Sequence, residues 1–534
     1  MKRFLPLVLS ASLAFTLSAP ADEGHHHDDL TADQLGTVHF PISCSPAAQK
    51  TFERGVSLLH SFWYEEAAKA FGQAANEDQR CAMAHWGVAM SLWHQLWDRP
   101  NEATLERGAA ELKKARRFRA STDRERNYIA ALDAFYQRSD REFKVRATAY
   151  SRQMEQLYSK YPDDHEAGIL YALSLIASEP EHDKSYANRK RAAAVLEKLF
   201  ADEPNHPGVA HYLIHAYDKP EMAELGLSAA RRYAKIAPAA PHAVHMPSHI
   251  FARLGLWQED IDSNLASIAA THRGEQMHMG GEGHQFHAMD FLVYAELQSG
   301  NETAARQLIA DVKAMPPMRD MYHGDNDPRF SNQEAFEASC ALELHHWAEA
   351  SSLPLVAGTN GDDSLTYRAR AIGAARSGNV LEAQKSLTEL EAIRDRAVKR
   401  KAIYVEALEQ ERQEAEAWVD YAKGNHEQAI KLLRDIAEKD EGVFAASDGI
   451  PAREMLADML LDMGRPEAAL VEYGANLKLN PNRFDSLYGA GHAAELMGNQ
   501  EKASAYYAQL VKNCAGSTSD RPELSHARIL LATR

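Results

Sequence analysis

The chain has 534 residues, more than the roughly 250 to 300 at which a single hydrophobic core stops growing, so several domains or a modular array are expected. Hydrophobic residues make up 45% and charged residues 25%, a balance that excludes a disordered or collagen-like polymer. The formal net charge of −17 disfavours nonspecific attraction to phosphate backbones or anionic membranes, so we expect no nucleic-acid partner.

The N-terminus has the features of a secretory signal peptide. Lys2 and Arg3 form a charged start, residues 4–17 are mostly apolar, and residues 19–21 offer a cleavage site of small residues. We therefore predict a signal peptide over residues 1–21 and an exported, periplasmic protein. No later stretch has the roughly 18 consecutive apolar residues of a spanning helix, so no transmembrane segment is expected.

The four cysteines are too few for a disulfide-dense scaffold. Cys44 precedes a predicted helical hairpin and Cys81 follows it. Both should lie at the same end of that hairpin, and we expect them to form a disulfide bond. Cys340 and Cys514 are expected to be buried as small hydrophobic residues.

A repeat with a fixed period marks the C-terminal part of the chain. The segments Leu-Asp-Met-Gly464-Arg-Pro-Glu and Glu-Leu-Met-Gly498-Asn-Gln-Glu place their glycines 34 residues apart. The pattern resembles the tetratricopeptide (TPR) repeat, a helix-turn-helix unit of 34 residues. Its key positions are filled here by Ala457, Gly464, Ala469, Tyr473 and Pro481. Further units centre on Gly255, Gly300, Gly378 and Gly424.

The resemblance implies an all-α, TPR-type superhelical solenoid of about nine or ten helical hairpins. It covers the chain from about residue 46 onward, and some segments also look like those of exported bacterial TPR proteins of unassigned function. The expected segments are a histidine-rich N-terminal extension over 22–45, an N-terminal TPR-like array over 46–270, a Gly/His/Met-rich insertion over 271–285, degenerate TPR-like units over 286–363 and a C-terminal TPR array over 364–534.

Histidine is frequent, with 25 copies, and several copies share one register of the repeat. In TPR proteins the first helix of each unit lines a concave groove. When Pro204 and Pro238 are aligned as equivalent positions, two adjacent units present five groove-facing histidines. We predict these as metal ligands: His211, His215, His242, His245 and His249. Imidazole suits transition metals, so Zn or Cu is the candidate cofactor, and contact with an organic ligand or structural packing are the alternatives.

Two charged residues lie at further groove-facing positions of the same units. Asp218 and Arg253 are predicted to bind the ligand, with Asp218 either coordinating the metal or bonding to a histidine that does. Pro247 falls inside the second of these helices. Because proline removes one backbone hydrogen bond, we expect a kink or a late helix start there.

The N-terminal end of the groove is predicted to be aromatic. His60 and His94 recur at one repeat position, with Trp86 and Trp93 on the same helical faces. Such a surface suits stacking of a peptide, a sugar or a ring, and tryptophan packing between poorly matched units is the alternative.

The insertion over 271–285 mixes methionine and histidine in a glycine-rich segment. Soft sulfur ligands select Cu(I), so the segment is predicted to be a lid over the groove or a second metal contact. His284 and His287, at its C-terminal edge, are the predicted ligand contacts.

Two functions are compatible with these features. The first is an exported TPR scaffold that binds a partner protein, a peptide or a small ligand through the histidine-rich patch, with or without metal. The alternative is a periplasmic enzyme that depends on Zn, Cu or Fe held by the same histidines. His211 and His215 have zincin-like spacing, but Tyr212 stands where a catalytic glutamate is required. With no catalytic residue identified, the sequence favours a binding role.

Overall fold

The computed structural model describes residues 30–96, 99–137, 142–180, 183–318, 327–359, 361–439 and 442–533. The predicted signal peptide and the histidine run at 25–27 lie outside these residues. All regular elements in the described part of the chain are helices, and it contains no β-strand. Within the same residues, no helix combines the length and the apolar character needed to cross a lipid bilayer.

The helices follow one another as short hairpins. The first group is α1 Ala32–Leu35, α2 Pro46–His60, α3 Tyr64–Glu77, α4 Ala82–Ser91, α5 Glu102–Phe118, α6 Asp123–Tyr136, α7 Phe143–Lys160, α8 His165–Ala177, α9 Ala187–Asp202, α10 Pro207–Tyr217 and α11 Ala223–Ile236. The middle group is α12 Pro241–His245, α13 Pro247–Leu254, α14 Trp257–Gln276, α15 His284–Gln298, α16 Glu302–Ala314, α17 Pro328–Glu343 and α18 Trp347–Ser351. The last group is α19 Ser364–Arg376, α20 Val380–Arg400, α21 Val405–Ala422, α22 His426–Ala437, a 3₁₀ turn at Ala446–Asp448, α23 Ala452–Asp462, α24 Pro466–Leu479, α25 Phe484–Leu496, α26 Gln500–Asn513 and α27 Pro522–Ala532.

Each helix packs against its neighbours in the chain, as α2 does with α3, α3 with α4, and α10 with α11. Small residues at the contacts let the helices approach closely, and the apolar faces of adjacent hairpins close over one another. The prediction of an all-α, TPR-type array is therefore confirmed.

The hairpin turns require a left-handed backbone. Six of them contain a glycine with φ between 62° and 88°: Gly255, Gly300, Gly378, Gly424, Gly464 and Gly498. In the first hairpin, between α2 and α3, Phe62 takes this place with a φ of 53°. An aromatic residue is strained in this region, yet the Phe62 side chain is only 1% exposed. Packing of its ring must offset the strain.

Two details of the middle group differ from or refine the sequence predictions. The insertion over 271–285 is mostly helical, because α14 continues to Gln276 and α15 begins at His284, which leaves only residues 277–283 as a loop. Arg, Glu and Gln favour helix, and a single glycine does not end one. The expected effect of Pro247 is confirmed: Met246 interrupts the helix between α12 and α13.

The cysteines behave as predicted. Cys44 and Cys81 form a disulfide with a Cα–Cα distance of 5.3 Å, and Cys340 and Cys514 are buried free thiols.

Removing this disulfide in a Cys44→Ala/Cys81→Ala variant is expected to lower the free energy of unfolding by about 3 to 4 kcal/mol. The bond spans 37 residues and restricts the unfolded chain by closing that loop. Urea unfolding of the variant and of the wild type, each with and without a reductant, measures the effect. The reduced wild type should match the variant, and a variant as stable as the oxidised wild type would contradict the prediction.

The C-terminal group folds back onto the middle of the chain. The Trp257 indole donates a hydrogen bond to the Asn482 carbonyl at 3.0 Å. The fully buried Arg483 donates to Glu343 at 2.6 Å and to Glu454 at 2.8 Å. These contacts fasten the C-terminal group to the middle helices.

A buried carboxyl outside this network provides a pH-dependent element. Glu334 on α17 accepts a hydrogen bond from the Thr366 amide at 2.8 Å, and burial raises its pKa to about 8. The folded state therefore binds a proton that the unfolded state releases above its pKa of 4.5. The contribution of Glu334 to the free energy of unfolding is fully present below pH 4.5 and is lost as the pH rises to about 8.

Glu334→Gln should flatten this pH dependence. Between pH 5 and pH 8 the wild type is expected to lose stability relative to the variant with a slope approaching about 1.4 kcal/mol per pH unit. Urea unfolding across that range measures the difference. An unchanged slope in the variant would show that Glu334 is ionised in the folded protein.

Candidate metal centre

Seven histidines from four helices meet in the interior of the first and middle groups. They are His211 and His215 on α10, His242 and His245 on α12, His249 on α13, and His284 and His287 on α15. Residues three or four apart share one face of a helix, so each helix directs its histidines to the same place. Six of the seven are at most 7% exposed, and His287 is half-buried.

Six of these histidines form two triplets. Within each triplet, one potential ligand nitrogen from every residue lies within 4.8 Å of the others. The first triplet is His211, His215 and His242, and the second triplet is His245, His249 and His287. Zinc–nitrogen bonds are about 2.0 to 2.1 Å long, so small side-chain movements would close each triplet on one ion.

Hydrogen bonds fix the orientation of two rings in the second triplet. His245 Nδ1 donates to Asn264 Oδ1 at 2.7 Å, and His249 Nδ1 donates to Asp218 Oδ2 at 2.9 Å. The amide nitrogen of Asn264 is itself held by Asp260, which turns the Asn264 oxygen toward His245. Both rings therefore carry a hydrogen on Nδ1, and each presents its Nε2 atom to the other ring.

Those two Nε2 atoms lie 3.1 Å apart. A contact of this length needs a cation between the two nitrogens, either a proton, which makes the contact a hydrogen bond, or a metal ion. A metal ion bound by His245 and His249 would convert the contact into two coordinate bonds.

One ring of the first triplet is also fixed by a hydrogen bond from Nδ1. His211 Nδ1 donates to the carbonyl oxygen of His60 at 2.6 Å, so its Nε2 also presents a lone pair. In the described part of the chain, the Nε2 atoms of His211 and His215 are buried without a hydrogen-bond partner. Leaving such an atom unsatisfied costs about 1 to 3 kcal/mol, which a bound cation would offset.

Burial keeps five of these rings neutral. It lowers the pKa of His211 and of His287 to about 3. It also moves the pKa values of three more histidines well below their ordinary value: His215, His242 and His245. Since neutral imidazole is the form that binds metal, these side chains are ready to coordinate at neutral pH.

The two triplets are adjacent. The ring centroids of His242 and His245, one from each triplet, are 5.8 Å apart, and those of His215 and His249 are 5.9 Å apart. Two bound ions would therefore be near neighbours.

Aromatic rings enclose both triplets. Phe62 stacks on His242 with centroids 5.4 Å apart, which explains the packing of this strained residue. The ring centroid of His249 lies 4.7 Å from that of Phe291 and 5.9 Å from that of Phe444. An apolar enclosure lowers the local dielectric and controls access of water to a metal.

A third histidine group lies behind the first triplet and is held by hydrogen bonds. Glu166 accepts from Nε2 of His60 and from Nε2 of His206, both at 2.9 Å, and Nδ1 of His60 contacts the Tyr212 hydroxyl at 2.9 Å. Burial raises the pKa of Glu166, but the two histidines outweigh it and hold the pKa well below its ordinary range. Because the carbonyl of His60 holds His211, this group positions the first triplet.

Hydrogen bonds hold the loop over 277–283 against the start of α3, and its predicted role as a lid stays a prediction. The Trp63 indole donates to the carbonyl of Gly280 at 2.6 Å, and the Gly280 amide donates to Glu66 at 2.8 Å. The loop over 277–283 thereby anchors the start of α15 beside α12. His284 follows it and lies with its ring centroid 5.6 Å from that of His242.

The predicted aromatic end of the groove lies in the core. Trp86 and Trp93 have no exposed surface, and Trp93 stacks on Phe135 with centroids 3.7 Å apart. These contacts support the packing role, the alternative to ligand stacking. His94 stacks on Tyr64 at 4.2 Å, and its predicted role in ligand binding stays a prediction.

Asp218 and Arg253 lie beside the second triplet. Besides accepting from His249, Asp218 accepts from Arg253 at 3.0 Å, and the guanidinium of Arg253 lies 4.2 Å from the centre of the Phe444 ring. Asp218 thus orients a histidine of the second triplet, one of its two predicted roles.

Asp218→Asn is expected to weaken metal binding at the second triplet by about 10- to 100-fold and to leave the first triplet unaffected. The substitution removes the charge that favours the Nδ1–H form of His249. Competition with a chelator of known affinity measures the change. Asp262→Asn, at an exposed position on α14, is the control, and equal affinities in both variants would contradict the prediction.

Sequence reasoning missed three residues of this centre. Asn264 holds His245 from α14, and Glu166 and His206 form the group behind His60. None of them repeats at a groove-facing position, so the repeat register offered no signal for them.

No protein-family model matches the chain, and no curated protein matches it. Among solved structures, the human IFIT1 dimer with m7Gppp-AAAA is similar at 12% identity and a TM-score of 0.33, over 86% of this chain and 95% of that one. The TPR domain of P58(IPK) is similar at 13% identity and a TM-score of 0.21, over 69% and 99%. At these scores neither similarity carries an argument about function, and the TPR-type fold follows from the helical hairpins described above.

Proposed function

We propose that the protein binds transition-metal ions, copper or zinc, at the two histidine triplets of a TPR-type scaffold. The observation that supports this most directly is the 3.1 Å approach of the Nε2 atoms of His245 and His249, whose Nδ1 hydrogens are both engaged elsewhere. The same tautomer at His211 supports a second ion in the first triplet.

The donor set favours copper or zinc. Calcium and magnesium select oxygen ligands, whereas each triplet offers only imidazole nitrogens. The nearest carboxylates, Asp218 and Glu166, accept hydrogen bonds from histidines instead. Three protein ligands leave a coordination position open, which is typical of catalytic rather than structural zinc sites. This feature supports the metal-dependent enzyme as the second candidate function.

The burial of the histidines limits which kind of partner can contact them. A peptide lying in the groove would not reach side chains that are at most 7% exposed, so we favour a small ligand at the histidines over a protein partner. Export to the periplasm and the absence of a nucleic-acid partner stay predictions, which rest on the signal-like N-terminus and on the net charge of −17.

The metal content of the purified protein tests the proposal. The mature chain is prepared with residues 25–27 replaced by alanine, because that histidine run would hold metal whatever the triplets do. After removal of metal with a chelator, reloading with Zn or Cu and desalting, mass spectrometry should find about one ion per triplet. Protein that stays metal-free, with a thermal stability unchanged by either metal, would overturn the proposal.

A further inference from the structure

A cleft of 680 Å³ leads to both triplets. Its inner end is lined by His215 of the first triplet, His249 of the second and Asp218. Its outer part lies between α7 and the turn that joins α20 to α21, where Ile403 and Glu406 line it. The volume falls in the range of sites for small organic molecules.

A single ligand in this cleft would contact one histidine of each triplet. The rings of His215 and His249 have centroids 5.9 Å apart, and each belongs to a different triplet. Both rings line the same inner wall, so a group placed between them approaches both coordination sites at once.

The lining of the cleft carries an excess of positive charge. The lining includes four cationic side chains and three carboxylates. The cations are Arg99, Lys144, Arg189 and Lys219, and the carboxylates are Glu179, Asp218 and Glu406. One of these carboxylates, Asp218, is also bonded by Arg253 from outside the lining. Bound metal ions would increase the excess further, and this favours an anionic ligand.

The same cleft has an apolar side. Leu96, Phe143, Ile176 and Ile403 contribute to its wall. A ligand that fills it therefore needs an apolar body as well as a negative charge.

We propose that the cleft binds an organic anion whose carboxylate lies at the metal pair and whose apolar or aromatic body fills the outer part. This inference rests on the proposed metal binding, and it adds the class of ligand and its path. Lys219 and Arg99 attract and orient the carboxylate, while the open position on each ion accepts its oxygens.

Azide and benzoate are suitable probes. Azide bound to Cu(II) produces a charge-transfer absorption band, so titration of copper-loaded protein with azide reports whether the ions are accessible. Benzoate should displace azide and abolish the band, whereas benzyl alcohol, which lacks the charge, should not. In Lys219→Met and Arg99→Met variants the benzoate concentration needed for displacement should rise about 2- to 5-fold, the effect of removing one favourable charge contact.

Lys385→Met is the matched control, since this lysine lies on α20 and is 70% exposed. Its benzoate affinity should equal that of the wild type. Copper-loaded protein that shows no azide band, or that binds benzoate equally well in all variants, would overturn the ligand assignment while leaving metal binding intact. Protein that takes up neither copper nor zinc would overturn the proposed function itself.

Discussion

Replacing His211 with alanine is expected to remove the ion held by the first triplet and to leave the ion of the second triplet in place. His211 supplies one of only three nitrogens in its triplet, and two imidazoles hold a metal far more weakly. Loss of a group that merely orients a ligand costs about 10- to 100-fold in affinity, so loss of a ligand should cost more than about 100-fold. Metal content after gel filtration should fall by one ion per chain.

This experiment includes a matching variant of the second triplet and a control variant. His245→Ala should remove the ion of the second triplet in the same way. His165→Ala is the control, because this ring lies on α8, is 40% exposed and pairs with Glu203. If His211→Ala retained both ions, or if His165→Ala lost one, the assignment of the triplets would be wrong.

Metal loading is expected to stabilise the folded protein strongly. Each ion that binds only the folded state adds about 4 kcal/mol at a free concentration 1,000-fold above its dissociation constant. Two ions would add about twice that amount. The physical source is coordination by the paired Nε2 atoms of His245 and His249 and by the unsatisfied Nε2 atoms of His211 and His215. Urea unfolding of metal-free and copper- or zinc-loaded protein measures the difference.

The stabilisation should depend on the donor set. A chelator should reverse it, and magnesium at the same concentration should have no effect, because it avoids imidazole ligands. The double variant His211→Ala/His245→Ala should unfold at the same urea concentration with and without zinc. A metal effect that persists in this variant would place the ions elsewhere on the chain.

Much of the fold and most members of the two histidine triplets could be predicted from the sequence because both follow from local spacing. The 34-residue period set the positions of the helices, and five histidines at groove-facing positions became members of the two triplets. The sixth member, His287, was expected only as a ligand contact, because its helix follows the insertion and lies outside the repeat register.

The groups that orient the ligands could not be predicted in the same way. His60 and Glu166 are separated by 106 residues in the chain, and His211 bonds to a carbonyl 151 residues away. Such contacts depend on how successive hairpins curve, which no short pattern encodes. The burial of Trp86 and Trp93 has the same origin, because a helical face that would line a groove in an open array is covered here by neighbouring helices.

Arrays of helical repeats normally unfold a few repeats at a time. Each repeat contacts only its neighbours, so the stability of the array is approximately the sum of the repeat stabilities and the interface energies between adjacent repeats. In this chain the triplets join α10, α12, α13 and α15, and the carbonyl of His60 at the end of α2 holds one of the ligands. With ions bound, none of these helices could detach without breaking a coordinate bond. The metal-loaded protein should therefore contain one cooperative block built from several repeats, and hydrogen exchange would show this block as a single protected unit.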